Sequence, residues 1–288
     1  MASAGLACGA GPALALPAEC QMTALNPPIP FAELLATAAL RDDGFALDIP
    51  PGWLQGRTAY GGCSAALAFE AARRLGGEGL PPLRSGSIAF VGPLAGQVEV
   101  RARVLRRGRN ATWITAEVLR AGEVGLSATF VFMGAVPSEV AFDTATVPSG
   151  VILPEGGVPV AFRPDTPQFV HAFERCYSLP PVVERRPDVC WWVRVRDRAG
   201  LDPMTELVLM ADAMPPAFTP LARGRPVVSS MIWQINLLTP APVTTDGWWL
   251  SRSVADHAEQ GCSSQQMSLW NHALAPVVSG MQSVAIFG

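Results

Sequence analysis

The sequence predicts an α+β fold in which one unit, a helix followed by antiparallel strands, occurs twice in tandem. Three observations predict it. Residues 62–75 carry small and apolar side chains on nearly every side, as a helix wrapped by other structure must. Behind them, Val98-Glu99-Val100-Arg101-Ala102-Arg103-Val104 alternates strictly, the period of a strand with one solvated face. The same order then recurs, from Leu207-Val208-Leu209-Met210-Ala211-Asp212 into strands that end at Val284-Ala285-Ile286-Phe287. The copies differ in their polar groups. The first has Gly61-Gly62 at its helix where the second has Asp212, and Ser127 five residues before Phe132 where the second has Gln282 five before Phe287. That imbalance predicts a scaffold half and a chemical half.

Taken in order, residues 1–21 are rich in Ala, Gly and Pro, and the first basic residue is Arg41. A secretory signal needs a positive start, so this stretch reads as a disordered extension. Pro30 to Ala38 reads as a short helix, and Gly44 to Pro50 as a strand closed by Pro50-Pro51-Gly52. After the apolar helix, strands at 98–104, 112–119 and 126–133 are separated by Arg107-Gly108-Arg109-Asn110 and Ala121-Gly122-Glu123, which predicts a meander. One long helix embraced by a curved antiparallel sheet is the hotdog arrangement. Residues 134–168, rich in Pro and Gly, form a linker or surface loop. The second unit opens with the alternating Cys190 to Arg196, continues with a helix over 203–214 stopped by Pro215-Pro216, and closes with strands at 227–238, 247–257, 262–271 and 276–287. The predicted architecture is therefore a double hotdog, with an N-terminal unit at 22–133 and a C-terminal unit at 169–288.

Composition bounds the chemistry. Nearly half of the 288 residues are apolar, enough for a sizeable core. The net charge of −3, without a charged block, gives no reason to expect nucleic acid or an anionic membrane as partner. No apolar run reaches the roughly 18–20 residues that span a bilayer. All 21 basic residues are arginine, so lysine-based Schiff-base chemistry is excluded. The cysteines at 8, 20, 63, 176, 190 and 262 form no CxxC pair, which predicts reduced thiols in a cytoplasmic protein. None of His171, His257 and His272 stands near a second soft ligand, so no zinc site is expected. No Gly-x-Ser-x-Gly elbow occurs. Cys63 reads as a core thiol, His257 as a surface turn residue, and the tryptophans as core or subunit packing.

The second half resembles the acyl-CoA thioesterase II family, whose members have a double hotdog fold. The residues that carry the likeness are Trp192-Val193-Arg194, Leu201-Asp202-Pro203, Leu209-Met210-Ala211-Asp212, Val228-Ser229-Ser230, Leu237-Leu238-Thr239-Pro240, Gly247-Trp248-Trp249-Leu250 and Val277 to Gln282. The first half is similar at Gly56-Arg57-Thr58-Ala59-Tyr60-Gly61-Gly62 and Ile88-Ala89-Phe90-Val91-Gly92-Pro93. By position, the family's catalytic trio falls on Asp212, Ser230 and Gln282, with Ser229 the competitor to Ser230. The chain departs from the family at Met231-Ile232-Trp233, at Thr239-Pro240 and in having serine for the commoner threonine.

Residue chemistry agrees. Asp212 lies in an apolar segment that should raise a carboxylate's pKa unless hydrogen bonds oppose it, and a hydroxyl and a carboxamide are such partners. Gln282 lies in a largely apolar strand, where an unpaired amide costs ~1–3 kcal/mol. Together the three can hold one water, with Asp212 as general base and Ser230 and Gln282 fixing its direction. The resemblance implies hydrolysis of acyl-CoA to free acid and CoA, with no metal or organic cofactor, by a homo-oligomer of fatty acid metabolism. The alternative is a hotdog protein that binds acyl-CoA or acyl chains with little catalysis. A hydratase would need an Asp/His pair after a helix, and none follows either helix.

Overall fold

The computed structural model describes residues 28–181 and 184–287. The N-terminal extension expected over 1–21 lies outside the described residues. The first half contains α1 (Phe31–Ala36), β1 (Ala39–Arg41), β2 (Gly44–Ile49), a two-residue ribbon of β3 (Leu54–Gln55) and β4 (Thr58–Ala59), and α2 (Gly61–Gly76). Four long strands follow: β5 (Leu83–Phe90), β6 (Gly96–Arg107), β7 (Ala111–Arg120) and β8 (Glu123–Met133). The second half repeats the order with β9 (Phe173–Tyr177), β10 (Asp188–Val195), α3 (Pro203–Ala211), β11 (Val227–Leu237), β12 (Trp249–Glu259), β13 (Cys262–Asn271) and β14 (Pro276–Phe287).

All the long strands belong to one antiparallel sheet in the order β1-β2-β6-β7-β8-β5-β11-β14-β13-β12-β10-β9. The order reads the same from either end once each strand is exchanged for its counterpart in the other half. The halves meet where β5 pairs with β11, with Ile88 opposite Trp233. The sequence predicts a curved sheet for each unit, without the pairing that joins them, and misses β5, whose Leu83-Arg84-Ser85-Gly86-Ser87 lacks a clean alternation. Pairing on both sides supplies the strand character that composition does not.

The helices differ more than the sheets. α2 matches its predicted span and buries Ala65, Ala66, Leu67, Ala68, Ala71 and Ala72. Alanines on every side let it approach both the sheet and the other helix. α3 is nine residues, shorter than predicted. Asp202 caps it, its carboxylate accepting from the N–H groups of Met204 and Thr205 at 3.0 and 3.1 Å, with Pro203 at the first helical position. It ends at Asp212, whose φ of −97° and ψ of 9° have left the helix before Pro215-Pro216 arrive.

The two helices lie antiparallel. Thr205 near the start of α3 donates to buried Glu70 in α2, and the Tyr60 hydroxyl donates to the Leu209 carbonyl at 2.8 Å near its end. Glu70 also holds Arg73 at 2.9 Å and Arg74 at 3.4 Å, so its buried charge is compensated. Part of the segment predicted as a linker braces the edge strand: the N–H of Val160 bonds the Arg175 carbonyl and that of Tyr177 the Val158 carbonyl, each at 2.9 Å. Trp192 Nε1 donates to the Ile152 carbonyl at 2.8 Å. Cys176, Cys190, Trp192, Leu250 and Trp270 form a second, smaller core there. No helix among the described residues is long and apolar enough to cross a membrane.

Candidate active site

One cross-strand row organises the site. Reading across the sheet, Ala102, Ala116, Ala128, Ile88, Trp233, Gln282, Gln265 and Ala255 stand opposite one another in successive strands. All are buried and share the helix-facing side. The first half of the row carries only apolar side chains; the second half carries two amides. Gln282 thus corresponds to Ala128. Ser127, which the sequence sets against it, stands one residue away and on the opposite face, because a shift of one residue reverses the side of a strand.

The amides form a relay whose direction is fixed at one end. The backbone N–H of Ala217, in the turn after Pro215-Pro216, donates to Gln265 Oε1 at 2.8 Å. Gln265 must therefore present its Nε2, which donates to Gln282 Oε1 at 2.9 Å. That leaves Gln282 Nε2 to donate to Asp212 Oδ1 at 2.7 Å. A main-chain donor can only donate, so every amide downstream is oriented by it. Sequence reasoning misses Gln265; its place opposite Gln282 depends on β13–β14 register, which a single sequence does not state.

Asp212 meets the first half of the chain as well. The backbone N–H of Gly62 hydrogen-bonds its carboxylate, and its Oδ2 lies against Gly61. Tyr60, at the N-cap of α2, makes no side-chain cap bond, so a carboxylate from the second half takes that place in space. Side chains at either glycine would collide, at 61 with Asp212 and at 62 with the Leu209 carbonyl and the Tyr60 ring. The residues read as alternatives at one position of a repeat are therefore neighbours across the helix pair.

Burial raises the Asp212 pKa to about 7 against the opposing hydrogen bonds of Gln282 and Gly62. The positive end of α2 also favours the anion, whereas the C-terminal end of α3, to which Asp212 is attached, disfavours it. Burial together with the Asp212 charge holds the neighbouring Tyr60 phenol well above its ordinary value.

Ser230 stands opposite Val284, two residues from Gln282 along β14, so its side chain belongs to the same helix-facing side. Ser229 faces away and is exposed. The register separates the two candidates that sequence leaves close. Among the described residues Ser230 makes no hydrogen bond to Asp212 or Gln282, so the structure joins two members of the expected trio directly and leaves the third on the same face of the neighbouring strand. A bulge between Ser230 and Ile232 occupies the Met231-Ile232 departure. Burial pushes the Cys63 thiol pKa far up, which suits a core residue and not a nucleophile. His257 lies within β12, exposed, next to a bulge rather than in a turn.

The acyl-CoA thioesterase N-terminal domain family matches residues 49–133, and the acyl-CoA thioesterase C-terminal domain family matches residues 154–286. The chain belongs to the acyl-CoA thioesterase family. Its class of chemistry is thioester hydrolysis. Among solved structures it is similar to a conserved protein with a hot dog fold from Alicyclobacillus acidocaldarius, at 16% identity over 89% of this chain and 98% of that one, with a TM-score of 0.78. A protein assigned as a thioesterase II from Thermobifida fusca shares 22% identity over 91% of this chain and 99% of that one, with a TM-score of 0.75. The acyl-CoA thioesterase II TesB2 from Mycobacterium marinum shares 17% over 89% and 98%, with a TM-score of 0.64. No curated protein matches the chain. The fold is of the hotdog class.

Proposed function

We propose that this protein hydrolyses acyl-CoA thioesters to a free acid and CoA, using Asp212, Ser230 and Gln282 around one water. The observation that carries the reading is the contact of Gln282 Nε2 with Asp212 Oδ1 at 2.7 Å, set against the Gly62 N–H. A carboxylate with a pKa of about 7 is a stronger base than an ordinary one and is still half ionised at neutral pH. Asp212 takes a proton from water as the water oxygen bonds to the thioester carbon. The tetrahedral intermediate then expels the CoA sulfur, and the proton held by Asp212 passes to that thiolate. First-turn N–H groups of α2 other than that of Gly62, which Asp212 holds, are the candidate donors for the developing oxyanion. Ser230 directs the water from the adjacent strand.

In this reading the protein is a double hotdog, the first unit (22–133) walling the site built by the second (169–288), with 134–168 between them. It works without metal or organic cofactor, as a cytoplasmic homo-oligomer of fatty acid metabolism. Arg175 is a candidate CoA phosphate contact: the guanidinium lies 5.5 Å from the Phe162 ring and 5.4 Å from Trp191, with no carboxylate partner among the described residues. Phe162 also stacks on His171. Two residues before His171, Phe169 stacks on Tyr60 at 4.3 Å, which leads back to the site.

A binding protein without catalysis is the second reading, favoured by the missing hydrogen bond from Ser230 to its expected partners. CoA release from a panel of acyl-CoAs, followed with a thiol-reactive dye, separates the two. Release that disappears in Asp212→Ala supports hydrolysis. Tight binding with no release by wild type or variant would establish the second reading instead.

A further inference from the structure

The inner face of β12 holds two serines that the reaction above does not use. Ser251 and Ser253 are 1% and 0% exposed, and neither hydroxyl has a hydrogen-bond partner among the described residues. With Trp249 and Ala255 they are every second residue of β12, so they share the helix-facing side, and they stand opposite Leu269 and Met267 of the common core. A buried hydroxyl left unpaired costs about 1–3 kcal/mol, so two in succession call for a reason.

The doubled chain provides a control. In the row that carries the amides, Ala255 of β12 corresponds to Ala102 of β6. Two and four residues earlier β6 has Val100 and Val98, both buried, where β12 has Ser253 and Ser251. Valine fills this place in the scaffold half, so packing alone does not require serine. The hydroxyls occur only in the half that carries Asp212 and Gln282.

Their distance from the site indicates what they meet. Ser253 is two strands from Gln282 and one inward-facing position along, about 12 Å away for strands roughly 4.8 Å apart and two residues spanning about 6.8 Å; Ser251 lies about 17 Å away. A chain held at its carbonyl by Asp212 and Gln282, and running along the inner face of β12, reaches the serines well beyond the carbons next to the thioester. We propose that Ser253 and Ser251 select acyl-CoAs whose chain carries a hydroxyl or oxo group near its middle. This rests on the acyl-CoA reading of the Asp212 site.

The test compares three acyl-CoAs of equal length, one unsubstituted, one hydroxylated beside the carbonyl and one hydroxylated at mid-chain. Wild type is expected to favour the mid-chain substrate by roughly tenfold in kcat/KM, the worth of one well-made hydrogen bond. Ser253→Val with Ser251→Val, which installs the residues of the first half, should abolish that preference while the unsubstituted chain is still turned over. Ser253→Thr, which keeps the hydroxyl, should retain it. Equal rates on all three substrates with wild type, or a preference that survives the double valine variant, would overturn the proposal. Should no substrate release CoA, the hydrolytic reading fails separately. Calorimetric affinities of wild type for non-hydrolysable thioether analogues of the three then decide the serine proposal by the same ranking.

Discussion

Asp212 Oδ2 lies against Gly61, so close that a Cβ at position 61 would overlap it. A carboxylate at the end of one helix thus occupies the volume that an ordinary side chain at the start of the other would need. The position of the Asp212 carboxylate depends on an omission in the first half, the missing side chain at Gly61.

Gly61→Ala should therefore move the carboxylate. Overpacking of this kind costs about 1–3 kcal/mol, and a displacement near 1 Å in a reacting group costs roughly a hundredfold in rate. Chemical denaturation and kcat/KM on one acyl-CoA read the two effects separately. A control change at Gly134, where a Cβ meets nothing, should leave both unchanged.

Gln265→Glu tests the relay without changing its shape. One oxygen of the new carboxylate still accepts from Ala217 N–H, but the other replaces the Nε2 donor facing Gln282. Gln282 must then turn its Nε2 toward that carboxylate and its Oε1 toward Asp212. With the stabilising donor exchanged for an acceptor, the Asp212 pKa should rise further and the acid limb of the rate profile move upward in pH. The limb staying where wild type has it would show that Gln265 does not orient Gln282.

Thr205→Val separates helix packing from chemistry. The Thr205 hydroxyl donates to Glu70, which keeps Arg73 and Arg74. Its loss should cost about 1–3 kcal/mol of stability and leave the pH dependence of kcat/KM alone. Urea unfolding with parallel kinetics is the measurement.

Much of this is legible in the sequence, and the gaps have physical causes. α2 and the strands β6, β7 and β8 are readable because their period is written into each segment. β5 is not, since its place between two partners comes from the sheet and not from its own residues. Asp212 and Gln282 stand out as polar groups in apolar runs, and they do touch. Gln265 lies in the polar run Ser263-Ser264-Gln265-Gln266, where nothing local marks which residue turns inward. Reading Gly61-Gly62 and Asp212 as counterparts pairs residues that the structure makes neighbours instead. They are partners, and only the packing of α2 on α3 makes them so.

The Asp212 pKa ties activity to stability in opposite senses. With a value of about 7, the base is protonated in acid, so kcat/KM should rise tenfold per pH unit below that value and level off above it. The folded protein binds this proton more tightly than the unfolded chain, whose aspartates titrate near 4. Its contribution to stability is therefore fully present below about pH 4 and is lost as pH rises through about 7. Asp212→Asn mimics the protonated form at every pH. Relative to wild type, the variant should gain stability progressively between about pH 4 and 7 and hold a constant advantage above, while its CoA release falls to background. Thermal unfolding at a series of pH values, for both proteins in the same buffers, measures the difference. A gap between the two that does not change with pH would mean that Asp212 titrates as an ordinary surface carboxylate, and the general-base role would fall with it.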